Sequence, residues 1–311
     1  MERSFGKGET PAEQLLETML ASVPHWKGKQ IHYRPMFGGF SNSNWHIRVN
    51  GDRAFFLKMP GPGTENFIDR SASIEASQKA HALGIGPRPY DYLIERGVEI
   101  SDFVERARPC VTRDFQEPEI RRRTIELYRT FNDSEPLSLT KTVFAMIEEH
   151  ICQLRELSGF FPSDFLVLYE QYRVARQALE ASGLDIVPCY NDPAPANFLR
   201  REDGSIIIVD FEYASNNDRC YDLAIWSGEM FLTDAQQDEA IECYFGRVER
   251  AMQSRMYIYR MLGDLKWSLW SMIQNEVSFI DFDFHKFGIW KLMRLRTAIR
   301  DPRWQLALAS V

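Results

Sequence analysis

The sequence predicts an α+β fold in two lobes, a small antiparallel β-rich lobe with one main helix and a larger, mostly helical lobe. Short β-prone segments broken by Gly and Asn fill much of the first third of the chain. Helical periodicity dominates from about Glu105 onward. Because strands and helices do not alternate as βαβ units, a parallel sheet is not expected. We therefore assign residues 1–104 to the first lobe and 105–311 to the second.

In the first lobe, a helix precedes the strands and a second helix interrupts them. The pattern predicts helices at "PAEQLLETMLASV" and at "SASIEASQKAHALG", the latter closed by Gly84. The predicted strands are "IHYRPMF", "NWHIRVNG", "RAFFLKM", "YDYLIE" and "VEISDFV".

In the second lobe, three helical segments precede a proline-containing loop. These segments are "EPEIRRRTIELYRTF", "KTVFAMIEEHICQLREL" and "SDFLVLYEQYRVARQALEAS". The loop "CYNDPAPANFL" and the apolar strand "SIIIVDFEYA" follow, and the remainder from about Asp222 is again mostly helical.

Composition excludes several classes of protein. The chain has 311 residues, 44% hydrophobic and 26% charged, values near the globular average. Its net charge of −7 and lack of a long basic run argue against nucleic acid as a partner. Five cysteines without a C-x-x-C pair indicate neither a disulfide framework nor a zinc site. With no apolar signal core and no membrane-spanning stretch, we expect a cytoplasmic protein without membrane insertion, either monomer or homodimer.

A glycine-containing turn, "FGGFSNSNW", lies between two predicted strands. Gly38 and Gly39 let the backbone approach a ligand closely, and Ser41 and Asn42 offer hydrogen-bond donors. A strand turn of this kind covers nucleotide phosphates in kinases. An ordinary hairpin turn explains the same residues.

Lys58 lies near the end of the third predicted strand, flanked by apolar residues. An inward-pointing lysine there would pair with phosphates, and Glu75 on the next helix is a potential partner. Kinases position the α- and β-phosphates with such a strand lysine and helix glutamate. Each residue alone is equally compatible with a solvated surface charge.

The loop "CYNDPAPANFL" places Asp192 five residues before Asn197. Phosphoryl transfer needs a carboxylate at the acceptor hydroxyl and oxygen ligands for magnesium. Asp210 ends an apolar strand thirteen residues after Asn197, across a predicted hairpin at "EDGS", so both oxygens are expected to converge on one ion. The alternative is an Asx-type turn before a proline.

Together these segments resemble the choline/ethanolamine kinase family, within the aminoglycoside-phosphotransferase branch of protein-kinase-like folds. The resemblance extends from about Gly38 to Phe284. Its most specific parts are the "DFEYA…N…YDLA" run and the late "W-x-x-W-x-x-x-Q" run. The segments that carry it are "GGFSNSNW", Lys58, Glu75, "CYNDPAPANFL", "VDFEYASNNDRCYDLAIWSGE" and "KWSLWSMIQNEVSFIDFDF".

The resemblance implies an ATP- and Mg²⁺-dependent kinase with a two-lobed protein-kinase-like fold. Asp192 is expected to orient or deprotonate the acceptor hydroxyl, and Asn197 and Asp210 to bind magnesium. Lys58, supported by Glu75, would hold the phosphates of ATP. The other residues expected at ATP are Gly38, Gly39, Ser41 and Asn42 over the phosphates, and Asp102 and Val104 at the adenine.

The resemblance also implies a pocket for a small cationic acceptor, with choline as the expected one. The matching residues are Tyr213, Glu229, Trp267 and Trp270. A quaternary ammonium has no N–H to donate, so aromatic faces recognise it best. Trp267 and Trp270 are three residues apart and share one face of a helix. Core packing is the alternative explanation for the tryptophans.

One position departs from the family pattern, because Tyr190 stands where the loop usually begins with His. That position is a scaffold beneath the metal-binding strand, so the departure bears on loop geometry. Two alternatives stay open on sequence alone. The acceptor could be ethanolamine, another amino alcohol or an aminoglycoside, or the chain could be a pseudokinase that binds nucleotide without transferring phosphate.

Overall fold

The N-terminal part of the chain forms one antiparallel sheet in a computed structural model that describes residues 2–36, 38–39, 42–61, 64 and 67–311. Its strands are β1 (Arg3–Ser4), β2 (Ile31–Met36), β3 (Asn42–Val49), β4 (Arg53–Pro60), β5 (Pro89–Leu93) and β6 (Val98–Asp102). They lie in the order β1-β2-β3-β4-β6-β5. The five β-prone segments of the sequence therefore supply β2 to β6, as predicted.

One face of this sheet is buried against helix α1 (Pro11–Ala21). Phe55, Leu57 and Met59 alternate along β4 and are nearly inaccessible to solvent, as period-2 patterning requires. Leu16 and Leu20 of α1 join the same apolar cluster. The helix starts at a Thr10–Glu13 capping box that satisfies its first free N–H groups.

Helix α2 (Arg70–Ala82) connects the sheet to the second lobe. Asp69 caps its start by accepting from the backbone N–H of Ala72. Ala76 and Ala80 are fully buried and belong to the large core of the second lobe, not to the core under the sheet. The helix that was assigned to the first lobe thus packs on the second, and the division at residues 104 and 105 stays a prediction.

The second lobe is mostly helical. Its helices are α3 (Pro118–Asn132), α4 (Val143–Glu156), α5 (Phe165–Ala181), α6 (Arg219–Glu229), α7 (Asp234–Phe245), α8 (Arg250–Val277), α9 (Phe284–Arg300) and α10 (Arg303–Leu308). The periodicity predictions for α3, α4 and α5 are confirmed. The long α8 packs against α4, α6, α9 and α10 and forms the centre of the lobe. Among the described residues, no helix has both the length and the apolar character needed to cross a membrane.

Short strands frame the proline-containing loop. They are β7 (Ala107–Pro109), β8 (Ile186–Cys189), β9 (Phe198–Arg201), β10 (Ile206–Ile208) and β11 (Ser215–Asp218). The predicted hairpin at "EDGS" is confirmed, since β9 and β10 pair antiparallel with Ile208 opposite Phe198. β10 ends at Ile208, so Asp210 lies just beyond the strand.

Gly263 sets the distance between α8 and α6. A Cβ at this position would lie 2.4 Å from Cγ2 of Ile225, far inside van der Waals contact. We expect G263A to lower the free energy of unfolding by about 1 kcal/mol, because overpacking costs about 1–3 kcal/mol and alanine's better helix propensity returns about 1 kcal/mol. Urea denaturation measures the change. The double variant G263A/I225L, whose leucine has no branch at Cβ, should recover part of the loss; a G263A protein as stable as wild type contradicts this packing.

Candidate active site

Lys58 forms ion pairs with three carboxylates where the two lobes meet. Its side chain is buried, and Nζ lies 3.1 Å from Glu99, 3.0 Å from Asp210 and 2.9 Å from Glu212. Glu99 stands directly opposite Lys58 in the β4–β6 register. Arg70 adds a second cation, 3.3 Å from Glu212. Carboxylates from the sheet and from the segment after β10 therefore meet at one ammonium.

The predicted pair between Lys58 and Glu75 is wrong. Glu75 accepts hydrogen bonds from the backbone N–H of Ser138, at 3.0 Å, and from its hydroxyl. The reason is the packing of α2 on the second lobe, which turns this position toward the segment that contains Ser138. The helix reaches Lys58 indirectly, through Ser73, whose hydroxyl donates to Glu99 at 3.0 Å, and through Arg70, which pairs with Glu212.

The charges around Lys58 leave an excess of negative charge. Burial alone would lower the pKa of Lys58, but Asp210, Glu212 and Glu99 raise it well above its ordinary value. Burial raises the pKa of Asp210 to about 7, opposed by Lys58 and assisted by the charges of Glu212 and Asp192. A divalent cation bound here would relieve this repulsion.

The proline-containing loop holds Asp192 and Asn197 in contact. The carboxylate of Asp192 accepts from the backbone N–H of Ala194 at 3.0 Å and from Nδ2 of Asn197 at 2.9 Å. Because the amide nitrogen of Asn197 is engaged, its Oδ1 is the atom left for a cation. Burial raises the pKa of Asp192 to about 6, with the Ala194 N–H opposing the shift.

The β9–β10 hairpin brings Asn197 and Asp210 together. The backbone N–H of Val209, the residue before Asp210, donates to the carbonyl of Asn197 at 2.9 Å. Asp210 itself has a left-handed φ of +67°, which only some non-glycine residues, Asp among them, tolerate. The hairpin thus brings the backbone next to Asp210 against Asn197, and the convergence of the two side-chain oxygens on one ion stays a prediction.

Sequence reasoning assigned no role to Asp222, which fixes the backbone of this loop. Asp222 is 1% exposed on α6 and accepts from the N–H groups of Tyr190 at 2.8 Å and Asn191 at 2.7 Å. It also accepts from the Asn132 amide at 3.1 Å. Burial raises its pKa to about 6, while these donors oppose the shift. Asp222 belongs to the "YDLA" run, which is one of the specific parts of the family resemblance and could have drawn attention to this aspartate.

Tyr190 occupies the scaffold position of the loop. Its ring is fully buried between the rings of Phe198 and Phe211. Its hydroxyl donates to the Val209 carbonyl at 2.6 Å, one residue before Asp210. The tyrosine therefore joins the loop to the segment that carries Asp210, and the contact between Asp192 and Asn197 is formed with it in place.

A cleft between the lobes contains most residues expected at a nucleotide. Lys58, Asn197 and Asp210 line it together with apolar side chains from both lobes. Gly38, Gly39, Asp102 and Val104 also line this cleft.

The glycine turn is only partly as expected. Gly38 and Gly39 have φ of +103° and +109°, and a Cβ on Gly39 would lie 2.8 Å from the Asn44 amide nitrogen. Ser41 lies outside the described residues. Asn42 begins β3 and its amide donates to Glu212 at 3.0 Å, so it is already bound within the protein. Among the described residues of this segment, Gly38, Gly39 and Asn44 line the cleft, whereas Asn42 does not.

At the other end of the cleft, the Asp102 carboxylate is not directed at a ligand. It accepts from Arg53 at 2.9 Å. The backbone N–H of Asp102 donates to the Arg88 carbonyl, and that of Phe103 to the Ala54 carbonyl. Any contact of this segment with adenine would therefore use its other backbone groups, including those of Val104.

An aromatic cage forms beside the loop. We use this name for Tyr213, Trp267, Trp270 and Phe284, which are largely buried. Successive ring centroids lie 5.3 Å, 5.4 Å and 5.9 Å apart, each pair edge to face. Both tryptophans extend from α8, as their spacing predicted.

The cage is tied to the loop through Asn191. Its Nδ2 donates to the carbonyl of Tyr213 at 2.9 Å and to the Ser215 hydroxyl at 2.8 Å. Asn191 precedes Asp192 and has a φ of +63°. These hydrogen bonds thus fix the position of the cage relative to the carboxylate of Asp192.

Glu229 was predicted to attract a cationic acceptor, but its charge is already matched. It pairs with the buried Lys291 and lies 3.5 Å from Arg294. Asp264 shares Arg294 at 2.9 Å. Lys291 and Arg294 therefore weaken the attraction that Glu229 exerts on the cation of a bound substrate.

Lys266 is a basic side chain at the cage that sequence reasoning missed. It is 0% exposed, and its Nζ lies 3.1 Å from the Trp267 ring centroid and 4.3 Å from that of Tyr213. It directly precedes Trp267 in the chain, but no pattern in the sequence distinguishes it from a surface lysine.

The residues at the cleft suit magnesium better than a metal held by protein ligands alone. Among the described residues, no group of three or more His, Cys, Asp or Glu side chains is arranged to hold a metal ion. Asn197 and Asp210 supply one amide and one carboxylate oxygen. Magnesium is usually bound in this way, by one or two protein oxygens together with phosphates and water.

Three features together define a small-molecule kinase. They are the two-lobed fold, the cleft with Lys58 and its paired acid and amide groups, and the adjoining aromatic cage. A sequence model of the choline/ethanolamine kinase family matches residues 33–245. The chain belongs to that family, whose members phosphorylate amino alcohols.

Individual relatives agree with this assignment. Protein LicA from Haemophilus influenzae is 23% identical over 273 residues, covering 85% of this chain and 78% of that protein. Ethanolamine kinase 2 from Rattus norvegicus is 23% identical over 305 residues, covering 86% and 76%. The crystal structure of a choline/ethanolamine kinase family protein from Mesorhizobium loti has a TM-score of 0.80, with 25% identity and coverage of 96% and 98%. The predicted kinase-like fold is confirmed.

Replacing Asp222 by asparagine tests its role beneath the loop. One amide oxygen cannot replace two carboxylate oxygens, so a buried N–H of Tyr190 or Asn191 loses its partner at a cost of about 1–3 kcal/mol. We expect D222N to lower the free energy of unfolding by that amount in urea denaturation, and to lower kcat as the loop loosens. D52N, in the exposed turn after β3, is the matched control. Wild-type stability and kcat in D222N would contradict this role.

Proposed function

We propose that the protein transfers the γ-phosphoryl group of ATP to the hydroxyl of choline, with Mg²⁺ as the metal. The observation that carries this proposal is the aromatic cage fixed beside Asp192 through Asn191 and Tyr213. Faces of several rings suit a quaternary ammonium, and a carboxylate nearby suits the hydroxyl of the same small molecule.

Each residue of the cleft has a role in this proposal. Asp192 would accept a hydrogen bond from the acceptor hydroxyl and receive its proton. Lys58 would hold the phosphates of ATP, while Asn197 and Asp210 would hold magnesium. Gly38 and Gly39 would bring backbone groups over the phosphates, and Asp102 and Val104 would lie at the adenine.

Positioning and neutralisation of charge would supply most of the rate. When bound, magnesium-ATP supplies the transferred group and spreads the charge of its phosphates. Asn191, Tyr190 and Asp222 would act earlier, because they fix the loop before substrates arrive. A carboxylate that needs no rearrangement loses little energy to reorganisation during the reaction.

Choline is favoured over ethanolamine by the chemistry of the cage. A primary ammonium needs oxygen acceptors for three N–H groups, and the nearby carboxylate of Glu229 is already paired with Lys291 and Arg294. Ethanolamine is the second candidate, because ethanolamine kinase 2 matches this chain at the same 23% identity as LicA. A cytoplasmic location, and the choice between monomer and homodimer, stay predictions.

Asp192 is the first residue to test. D192A should abolish choline phosphorylation while leaving nucleotide affinity nearly unchanged, because the carboxylate acts on the acceptor side. An ADP-release assay measures turnover, and calorimetric titration with ATP and Mg²⁺ measures binding. D203N, in the exposed β9–β10 turn, controls for the loss of a carboxylate. Turnover retained by D192A would overturn this assignment.

Trp267 tests the cage itself. W267L should raise KM for choline by about 2- to 30-fold, the range expected when one cation–π contact of about 0.5–2 kcal/mol is lost, and should leave KM for ATP unchanged. W290L is the matched control, because Trp290 is partly exposed on α9 and lies outside the cage. Equal effects on both KM values would indicate a structural role for Trp267 instead.

A further inference from the structure

The cage already contains an amine of the protein. Nζ of Lys266 lies over the faces of Trp267 and Tyr213, at 3.1 Å and 4.3 Å from the two ring centroids. These are the faces that a quaternary ammonium would need. The side chain is fully buried, so the contact is not a transient surface arrangement.

Lys266 has no hydrogen-bond partner for its Nζ among the described residues. The other buried lysines of the site differ in this respect. Lys58 contacts three carboxylates, and Lys291 pairs with Glu229. An unpartnered buried ammonium is costly, so the ring faces are the main stabilisation that Lys266 receives where it lies.

The charges nearby explain why the ammonium is tolerated but not firmly held. Burial lowers the pKa of Lys266 well below its ordinary value, and the charge of Asp192 opposes that shift. Lys141 and Lys291 add to the lowering. Whether charged or neutral, Nζ fills the space over the Trp267 face.

We propose that Lys266 is a specificity-determining residue that competes with the cationic head of the acceptor for the aromatic cage. A quaternary ammonium and Nζ of Lys266 cannot both lie over Trp267 and Tyr213, because of their volume and, when Lys266 is protonated, their like charge. The acceptor therefore binds only as Lys266 withdraws. The inference rests on the proposed function of the cage as the acceptor site.

The structure provides a place for the withdrawn side chain. A small pocket is lined by Lys266 and Tyr213, by three carboxylate residues, Asp69, Glu149 and Glu212, and by Lys141, which pairs with Glu149. An ammonium that left the ring faces for this pocket would share Glu149 with Lys141. Binding of the acceptor would then exchange one cation for another over the same rings.

Substitution of Lys266 by methionine tests the competition. Methionine keeps an unbranched side chain but has one heavy atom fewer, so it removes both the charge and the atom that lies over the Trp267 face. K266M should bind tetramethylammonium about 2- to 30-fold more tightly than wild type, the range of one cation–π contact. It should lower KM for choline by a similar factor and leave KM for ATP unchanged. Calorimetric titration with tetramethylammonium chloride, against sodium chloride as the control for ionic strength, measures the first effect.

K266R keeps a cation at this position and should retain weak, wild-type-like affinity for tetramethylammonium. A thermal unfolding scan of each variant establishes that it is folded, and K266Q replaces K266M if the latter is not. Unchanged or weaker binding of tetramethylammonium in a folded K266M or K266Q protein would overturn the proposal.

The same measurements separate this proposal from the proposed function. Binding of tetramethylammonium requires no phosphoryl transfer. Tighter binding in K266M by a protein that phosphorylates neither choline nor ethanolamine would leave the role of Lys266 intact and overturn the proposed function. Choline phosphorylation together with unchanged binding of tetramethylammonium in K266M would support the proposed function and overturn the role of Lys266.

Discussion

The shared ammonium of Lys58 is the interaction on which the geometry of the cleft depends. It joins β4 to Glu99 on β6 and to Asp210 and Glu212 after β10, and so connects the sheet to the second lobe. Three buried or half-buried acids around one lysine would repel one another without it, and removing one partner from such a network is far costlier than its net stabilisation. Through this contact Asp210 is held against β4 of the sheet.

Local pattern predicted the elements and the loop, because both depend on residues near each other in sequence. Short β-prone segments broken by Gly and Asn predicted β2 to β6, and helical periodicity predicted α3 to α5. The "EDGS" turn predicted the β9–β10 hairpin. The partner of Lys58 could not be predicted in this way. Glu75 and Glu99 are both plausible carboxylates, and choosing between them requires the β4–β6 register, which places Glu99 directly opposite Lys58.

The residues that sequence reasoning missed act across the fold on distant groups. Asp222 accepts from backbone N–H groups 31 and 32 residues away, and a backbone donor leaves no trace in the sequence. Lys266 is distinguished only by burial and by the two rings below its Nζ. Glu229 stays a predicted carboxylate of the site, and its charge is matched by Lys291 and Arg294 of α9, whose packing no local pattern specifies.

Helix α2 has a further consequence for how such an enzyme is governed. Ala76 and Ala80 are buried in the core of the second lobe, and Glu75 is bound to Ser138. The three acids that pair with Lys58 lie on β6 and after β10, and none of them is on α2. Regulated protein kinases switch off by swinging a helix that carries the lysine's partner. Here none of the three carboxylates that pair with Lys58 would move with that helix, so its ion pairs could not be switched in this way.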